Sequence, residues 1–180
     1  MNNDILANKT LRLPKLVESD PRGPQIIHLL TAYTQPLWRE SELAVAVAKL
    51  NIKLVEALRK AHGAGQLIRG LESTERTLSA QERGLRMADR QIVLTREVRI
   101  SRLLILANDG AERFYRNVET ILHRHKPRVL AMILEIDAIG LGELLFGQGN
   151  IARVVMLNHK QAVGSVLLAM TGDICHVPTG

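Results

Sequence analysis

The clearest pattern of apolar and polar positions lies in the second half of the chain, where short apolar runs alternate with amphipathic stretches. The runs are apolar at nearly every position, as expected of strands buried on both faces, and they cover 102–107, 128–134 and 151–157. The intervening stretches repeat apolar residues every three or four positions and predict helices over 114–122, 140–146 and 162–170. This alternation predicts an α/β fold, a three-layer α/β/α sandwich with a mainly parallel central sheet.

The first half of the chain gives a different pattern. Apolar residues at steps of three or four predict one helix from Ser41 to a stop at Gly63, with Leu43, Val47, Leu50, Leu54, Leu58 and Ala61 on its apolar face. A short strand is predicted over 66–69. A further helix starts at Leu71, and its pattern decays near Gly84.

The flanking segments have no regular period. Residues 79–101 are rich in arginine, and we interpret them as an insertion that continues the helix and ends in a strand or loop. At the N-terminus, Pro14, Pro21, Pro24 and Pro36 interrupt every candidate helix except a short one over 26–33. The predicted organisation is therefore an N-terminal extension (1–40), an α/β/α domain (41–170) with the insertion at 79–101, and a C-terminal tail (171–180).

Composition narrows the class of protein. An apolar fraction of 46% with only 3% aromatic residues predicts an aliphatic core. The single cysteine, Cys175, excludes a disulfide framework and favours an intracellular protein. The apolar run 129–146 contains Glu135, Asp137 and Glu143, which argues against a membrane span and a membrane partner. The N-terminus has no clear targeting segment.

Each candidate catalytic or metal-binding residue has a simpler structural interpretation. His123 and His125 point in different directions on a helix, so we interpret them as surface histidines. In "GLGELLFGQG", Gly140 and Gly142 allow a close approach to a helix, and Gly147 and Gly149 end it. This interpretation fits the glycines better than a dinucleotide-binding loop does. Asp109 follows a strand, and we interpret it as a helix cap; Asn158 is predicted to cap the last helix. We therefore expect no enzyme activity, no cofactor and no metal.

The basic residues are concentrated in one quarter of the chain. The net charge is +6, and the window from Arg59 to Arg102 holds ten basic and five acidic residues. Such an excess favours a polyanionic partner, and arginine suits bidentate contact with phosphate. An arginine-rich face is predicted to bind nucleic acid; its first members are Arg59, Lys60 and Arg69.

The stretch "ALRKAHGAGQLIRGLESTERTL" resembles the first helix, strand and second helix of the kink-turn-binding ribosomal-protein superfamily (the ribosomal L-seven-Ae, pelota-like and bacterial YlxQ-type proteins). Its matching residues are Gly65, Gln66, Leu67, Gly70 and Arg76. Two later blocks, "RLLILANDGAERFYRNVETIL" and "GLGELLFGQGNIARVVML", are similar to the family's next strand and helix and to its short Leu-Gly helix and strand. The resemblance spans roughly 41–170.

The resemblance implies a site for RNA. In the family, backbone amides and polar side chains at the mouth of the second helix contact purine pairs and phosphates, and a second loop covers an extruded base with aliphatic groups. By position, the resemblance implies the turn residues Gly70, Leu71, Glu72, Ser73, Thr74 and Arg76 and the loop residues Ile136, Asp137, Ala138 and Ile139. The family usually has Asn and then Glu where this chain has Glu72 and Ser73, and Glu72 has the wrong charge to face phosphate.

The resemblance therefore implies a structural RNA-binding protein of a ribosome or related ribonucleoprotein, cytoplasmic or mitochondrial. Its partners would be structured RNA, above all ribosomal RNA, and neighbouring proteins of the particle. Scarce aromatic residues favour recognition of shape and phosphate over stacking on single strands. Two alternatives remain: a protein-interaction scaffold that has lost RNA binding, as Glu72 suggests, and the recognition subunit of an RNA-modifying complex.

Overall fold

The structure, a computed structural model, describes residues 11–89 and 98–172. In that part the chain forms seven helices and six strands. The helices are α1 (Lys15–Glu18), α2 (Gly23–Ala32), α3 (Ile52–Gly63), α4 (Leu71–Asp89), α5 (Glu112–Arg124), α6 (Ala138–Phe146) and α7 (Lys160–Ala169). The strands are β1 (Thr34–Pro36), β2 (Ala44–Ala48), β3 (Leu67–Arg69), β4 (Arg102–Leu106), β5 (Val129–Leu134) and β6 (Val154–Leu157).

The strands form one sheet in the order β1-β2-β5-β4-β6-β3. At its core β2, β5 and β4 are parallel, whereas β1, β6 and β3 pair antiparallel with their neighbours. All four residues of β6 and four of the five in β4 are buried, as expected of strands covered on both faces. The predicted α/β class and the parallel centre of the sheet are confirmed.

Helices cover both faces of the sheet, which gives the three predicted layers. Leu103 and Ile105 of β4 face a core shared with α1, α2, α3, α6 and α7. Leu104 and Leu106, on the other face, pack in a second core with α4 and α5. Alternate residues of one strand thus enter different cores, because successive side chains on a strand point to opposite faces.

Loops gather at the two ends of the strands. At the carboxyl end of the sheet β2, β5, β4 and β3 finish and β6 begins, because Arg69 pairs with Val155 and Leu106 with Val154. At the opposite, amino end, β4 and β5 begin, with Arg102 paired with Val129. The helices α3, α4, α5 and α6 all follow strands that finish at the carboxyl end, so their N-termini lie there.

The helix predicted from Ser41 to Gly63 is wrong in its first half. Residues 44–48 form β2, between β1 and β5, and the helix begins only at Ile52. The spacing of Leu43, Val47 and Leu50 fits a helix by coincidence, since it crosses a strand, a turn and the helix start. Alternating Ala and Val satisfy a strand equally well, and pairing with two neighbours decides the outcome. Asn51 then caps α3 by accepting from the Leu54 amide at 2.8 Å.

The segment predicted as an extension packs on the body of the fold in its described part, 11–40. Leu13, Val17, Ile26 and Leu30 are buried in the core with α7. Strand β1 extends the sheet by pairing with β2. Each fully buried aliphatic side chain contributes about 1.5–3 kcal/mol. The prolines shape short elements here and do not prevent their packing.

Helix α4 continues past Gly84 to Asp89, so the first part of the predicted insertion is helical. Residues 90–97 of that insertion, and residues 173–180 of the predicted tail, lie outside the described residues. Helix α7 is capped by His159 and not, as predicted, by Asn158. The Asn158 side chain instead accepts a hydrogen bond from Gln81 Nε2 at 2.7 Å. None of the helices in 11–89 and 98–172 has the length and apolarity to cross a membrane.

Candidate nucleic-acid interface

The turn from β3 into α4 leaves a helix start open to solvent. Gly70 has a φ of +90°, a region that L side chains rarely adopt, and its amide donates to Val154 O at 3.1 Å. Within the described part of the chain, the amides of Leu71, Glu72 and Ser73 have no side-chain or loop acceptor, and the first bond of the helix is Thr74 N–H to Gly70 O at 3.1 Å. The partial positive charge of a helix N-terminus is therefore uncapped here.

Two of the other three helix starts at the carboxyl end are capped by side chains, whereas α5, like α4, has no side-chain cap. Asn51 caps α3, and Asp137 caps α6 by accepting from the Gly140 amide at 2.6 Å. The amides of α4 thus differ from those of α3 and α6 in being available to an external acceptor, and phosphate oxygens are such acceptors.

The loop between α6 and β6 lies beside the start of α4. Gly147 and Gly149 turn the chain with φ values of +92° and +82°. The Ala152 amide donates to Ala138 O at 2.9 Å, so this loop also contacts the start of α6. Ile151 is 48% exposed, and Arg153 is exposed without a hydrogen-bond or ion-pair partner among the described residues.

The sequence prediction missed this loop as part of the site. Residues 151–153 were assigned to a strand, but β6 begins only at Val154. The signal available in the sequence was an Ile and an Arg within four residues after two closely spaced glycines, Gly147 and Gly149.

The start of α4, the start of α5 and this loop enclose a cleft of about 270 Å³. Its lining combines apolar and basic groups: Leu71, Phe114, Ile151 and Val154 with Arg69 and Arg153, beside the backbone of Gly70 and Ala152. We call it the carboxyl-end cleft.

Tyr115 fixes the α5 side of this cleft. Its hydroxyl donates to Ala107 O at 2.6 Å and accepts from the Gly110 amide at 3.1 Å. Burial raises the pKa of Tyr115, so the phenol stays protonated and can donate. A Cβ at Gly110 would lie 2.7 Å from the Phe114 ring, so a larger residue at this turn would require the ring to shift.

Arg69 lies at the cleft, but its guanidinium is occupied. Nη2 donates to Ile151 O at 2.6 Å, Nη1 donates to Asn150 Oδ1 at 3.2 Å, and the group stacks 4.7 Å from the centre of the Phe146 ring. Arg69 therefore positions the loop that carries Ile151, and its predicted contact with RNA stays a prediction.

The predicted first-turn residues of α4 have unequal access. Glu72 and Ser73 are exposed, and Glu72 Oε1 accepts from Arg76 Nη2 at 2.9 Å in an exposed pair. Leu71 is half-buried against the second core. Thr74 is 0% exposed and its hydroxyl has no hydrogen-bond partner among the described residues, so it cannot reach RNA at the surface. The implied contact at Thr74 is wrong, because the helix turns this side chain into the fold.

The second predicted loop also lies at the carboxyl end, with only part of it available. Ala138 is buried, Ile136 packs partly against the first core, and Asp137 caps α6. Ile139 is 54% exposed and follows Ala138, whose backbone oxygen accepts from the Ala152 amide. Ile151 directly precedes Ala152, so this hydrogen bond brings the backbones beside the two isoleucines together. Asp109 does not cap the helix that follows it. Its Oδ1 accepts from the Ala138 amide at 2.9 Å, because α5 begins only after Ala111.

The basic residues do not form the single face that was predicted. Arg59 and Lys60 lie on the last turns of α3, which leads away from the carboxyl end; Arg59 Nε donates to Leu144 O at 3.2 Å. Arg99 contacts Glu18, and Arg102 lies at the amino end of the sheet. The positions of the charges along the sequence could not reveal this. The basic residues between Arg59 and Arg102 lie on different elements, with β3 and α4 between the first and the last of them.

The histidine pair divides between surface and interior. His123 is exposed, as predicted, whereas His125 is 4% exposed and its interpretation as a surface residue is wrong. It ends α5 where the helix packs on α4. Within 11–89 and 98–172, no group of three or more His, Cys, Asp or Glu side chains could hold a metal ion.

Comparison with known proteins gives only loose likenesses. No family model and no curated protein matches the chain. It is similar to a solved structure of a protein with unknown function from Bacillus halodurans C, at 16% identity and a TM-score of 0.44, covering 67% of this chain and 98% of that one. It is also similar to the Giardia lamblia 15.5kD RNA binding protein, at 12% identity and a TM-score of 0.43, covering 66% of this chain and 82% of that one. Likeness this loose carries no functional conclusion.

Proposed function

We propose that this protein binds folded RNA through the carboxyl-end cleft, as a non-catalytic component of a ribosome or a related ribonucleoprotein. The observation that carries the proposal is the uncapped start of α4, which opens beside the exposed side chains of Ile151 and Arg153.

Each part of the cleft matches a part of RNA. Free amides at a helix start and an unpaired guanidinium both donate hydrogen bonds to phosphate oxygens. Ile139 and Ile151 offer aliphatic surface to the face of an unstacked base. Folded RNA presents both groups together, because its loops and bulges expose bases beside a sharply turned backbone.

The net charge of +6 supports the same partner, since it attracts a polyanion over a distance. Neutralising phosphates releases counterions, so RNA affinity should fall steeply as salt rises.

Filter binding to ribosomal RNA fragments across a salt series tests the proposal. Arg153→Gln should lower affinity and reduce the slope of log affinity against log salt by about one unit. Ile151→Ser should lower affinity and leave the slope unchanged. Arg39→Gln, an equal charge change at an exposed residue of the β1–β2 turn, is the control and should have little effect. Equal effects of Arg153→Gln and Arg39→Gln, or a flat salt dependence, would refute the proposal.

Glu72 favours a second candidate, a protein-interaction scaffold on the same fold. Its carboxylate is 89% exposed at the helix start and repels phosphate. Co-purification from nuclease-treated extract separates the two candidates. A partner protein retained through the carboxyl-end cleft without RNA supports the scaffold.

A further inference from the structure

Two arginine side chains converge at the amino end of the sheet, opposite the carboxyl-end cleft. Arg102 begins β4, and Arg128 directly precedes β5, the strand paired with it. Arg102 Nε donates to Gln81 Oε1 at 3.1 Å, and Arg128 Nη2 approaches the same oxygen at 3.4 Å. One neutral amide oxygen therefore accepts from two cations.

No carboxylate among the described residues forms an ion pair with either guanidinium. Burial lowers the pKa of Arg128, and the charge of Glu82 on α4 partly offsets this. Glu82 itself pairs with Arg86 Nη2 at 2.8 Å, and its other oxygen lies 3.1 Å from His125 Nδ1. Arg102 Nη1 donates to the Ser101 backbone oxygen at 2.6 Å. Within 11–89 and 98–172, the two guanidiniums thus have no carboxylate in direct contact, and Glu82 compensates the charge of Arg128 only in part.

A different arginine at this end of the fold shows the contrast. Arg99 is also largely covered, and Glu18 accepts a hydrogen bond from its guanidinium. Among the described residues, a carboxylate thus forms an ion pair with Arg99 and none does so with Arg102 or Arg128. Uncompensated charge in a partly buried place is costly, and proteins usually supply a partner for it.

The surroundings of the pair exclude water on one side. His125 is 4% exposed, and neither of its ring nitrogens is in hydrogen-bond geometry with a partner. Burial lowers the pKa of His125, so it does not add a third charge at neutral pH. Burial and the neighbouring charge of Arg128 also lower the pKa of Arg102, as expected when two cations lie close together.

We propose that Arg102 and Arg128 form a binding site for a phosphoryl group, distinct from the carboxyl-end cleft, with Gln81 marking the point where the oxyanion binds. Two guanidinium forks directed at one point match the several oxygens of a phosphoryl group. The group belongs either to a small phosphate compound or to a second segment of RNA backbone. In the latter case the protein bridges two RNA segments from opposite ends of its sheet.

Thermal unfolding with inorganic phosphate or pyrophosphate, against chloride at the same ionic strength, tests the site without RNA. The melting temperature of the unmodified protein should rise with either anion, since a ligand of the folded state stabilises it. Arg128→Gln should weaken the apparent affinity by about tenfold, the loss of one charged contact. Arg39→Gln, with the same charge change at an exposed residue of the β1–β2 turn, should respond like the unmodified protein.

Gln81→Glu is a second variant that remains informative if Arg128→Gln fails to fold. It places a carboxylate where the two guanidiniums meet, and thus substitutes for the missing anion. We expect its melting temperature without phosphate to exceed that of the unmodified protein and its response to phosphate to be lost. An unchanged or lower melting temperature together with a retained phosphate response would overturn the proposal.

RNA binding by the same variants identifies the source of the phosphoryl group. The site is assigned to RNA backbone if Arg128→Gln binds RNA more weakly while phosphate still raises the melting temperature of Arg153→Gln. A phosphate response with unchanged RNA binding assigns it to a small phosphate compound. If neither readout differs from that of Arg39→Gln, the site does not exist. Because the anion experiment contains no RNA, its outcome is independent of the function proposed for the carboxyl-end cleft.

Discussion

Trp38 and Glu119, 81 residues apart in the chain, are joined by a hydrogen bond from the indole Nε1 to Oε2 at 2.5 Å. Ser41 Oγ donates to the other carboxylate oxygen at 2.7 Å. Arg116, also on α5, stacks its guanidinium on the Trp38 ring, 4.5 Å from the ring centre. These contacts fasten the β1–β2 turn to α5 and thereby close one face of the sheet.

Glu119→Gln should lower the free energy of unfolding by about 1–2 kcal/mol at neutral pH, because hydrogen bonds to a charged acceptor are the stronger kind. Burial raises the pKa of Glu119, but the bonds from Ser41 and Trp38 outweigh it, so the net pKa lies below the ordinary value of 4.5. A lowered folded-state pKa stabilises the protein above pH 4.5, and this contribution is lost as pH falls through the folded-state pKa. Urea denaturation at several pH values measures both effects.

Glu112→Gln, on the same helix, is the matched control for Glu119→Gln. Its carboxylate is half exposed and pairs with Arg116, so its effect should not exceed about 0.5 kcal/mol. The explanation fails if the two variants cost the same, or if the cost at Glu119 persists at acidic pH.

Gly142→Ala should destabilise the fold by about 2–3 kcal/mol, because the site has no space for a side chain. A Cβ there would lie 2.3 Å from Asn150 O, which is backbone and cannot rotate away. Gly84→Ala, on the exposed middle of α4 where nothing lies within 4 Å, should instead stabilise by about 0.5–1 kcal/mol. Thermal melts of the two variants should shift in opposite directions; a shift in the same direction contradicts this packing of α6 on its loop.

The predictions from sequence succeeded where one strand or helix carries its own signal. β4, β5 and β6 are continuous apolar runs, and α5 has a sharp apolar stripe, so each is readable without its neighbours. The prediction over β2 was wrong because its five small residues fit either a strand or a helix start. Which of the two forms depends on pairing with β5, far along the chain. The packing of the N-terminal segment was missed because prolines indicate where a helix is interrupted. They do not indicate whether Leu13 or Ile26 is buried in the core.

The candidate site shows the same limit. The turn at Gly70 was predictable because glycine and a following helix start are local signals. The loop that carries Ile151 was not, because its position depends on Arg69 reaching Asn150 across 81 residues. The convergence of Arg102 and Arg128 likewise depends on the register of β4 with β5, which no local pattern specifies.

Thr74→Val should leave stability unchanged or raise it by up to about 1 kcal/mol. The Thr74 hydroxyl is fully buried without a partner, and replacing an unsatisfied polar group by a methyl removes its desolvation cost. Thr74→Ser is the comparison, since it keeps the hydroxyl, removes a methyl and should destabilise. Chemical denaturation distinguishes them. A cost of 1 kcal/mol or more for valine would mean that the hydroxyl has a partner.

Glu72→Gln should change stability and RNA affinity in opposite directions. The carboxylate stabilises the start of α4 and pairs with Arg76 at 2.9 Å, so its loss should cost about 0.3–1 kcal/mol of folding free energy. The same change removes a negative charge from beside the free amides and releases Arg76. RNA should then bind about two- to fivefold more tightly at low salt.

Glu56→Gln, at an exposed position on α3, controls for the change in net charge and should raise RNA affinity much less. Filter binding and thermal melts on the same preparations give both quantities. If RNA affinity is unchanged or weaker in Glu72→Gln, phosphate does not approach the start of α4. If a protein partner is lost at the same time, Glu72 contacts that partner, and the protein-interaction scaffold becomes the better account of the carboxyl-end cleft.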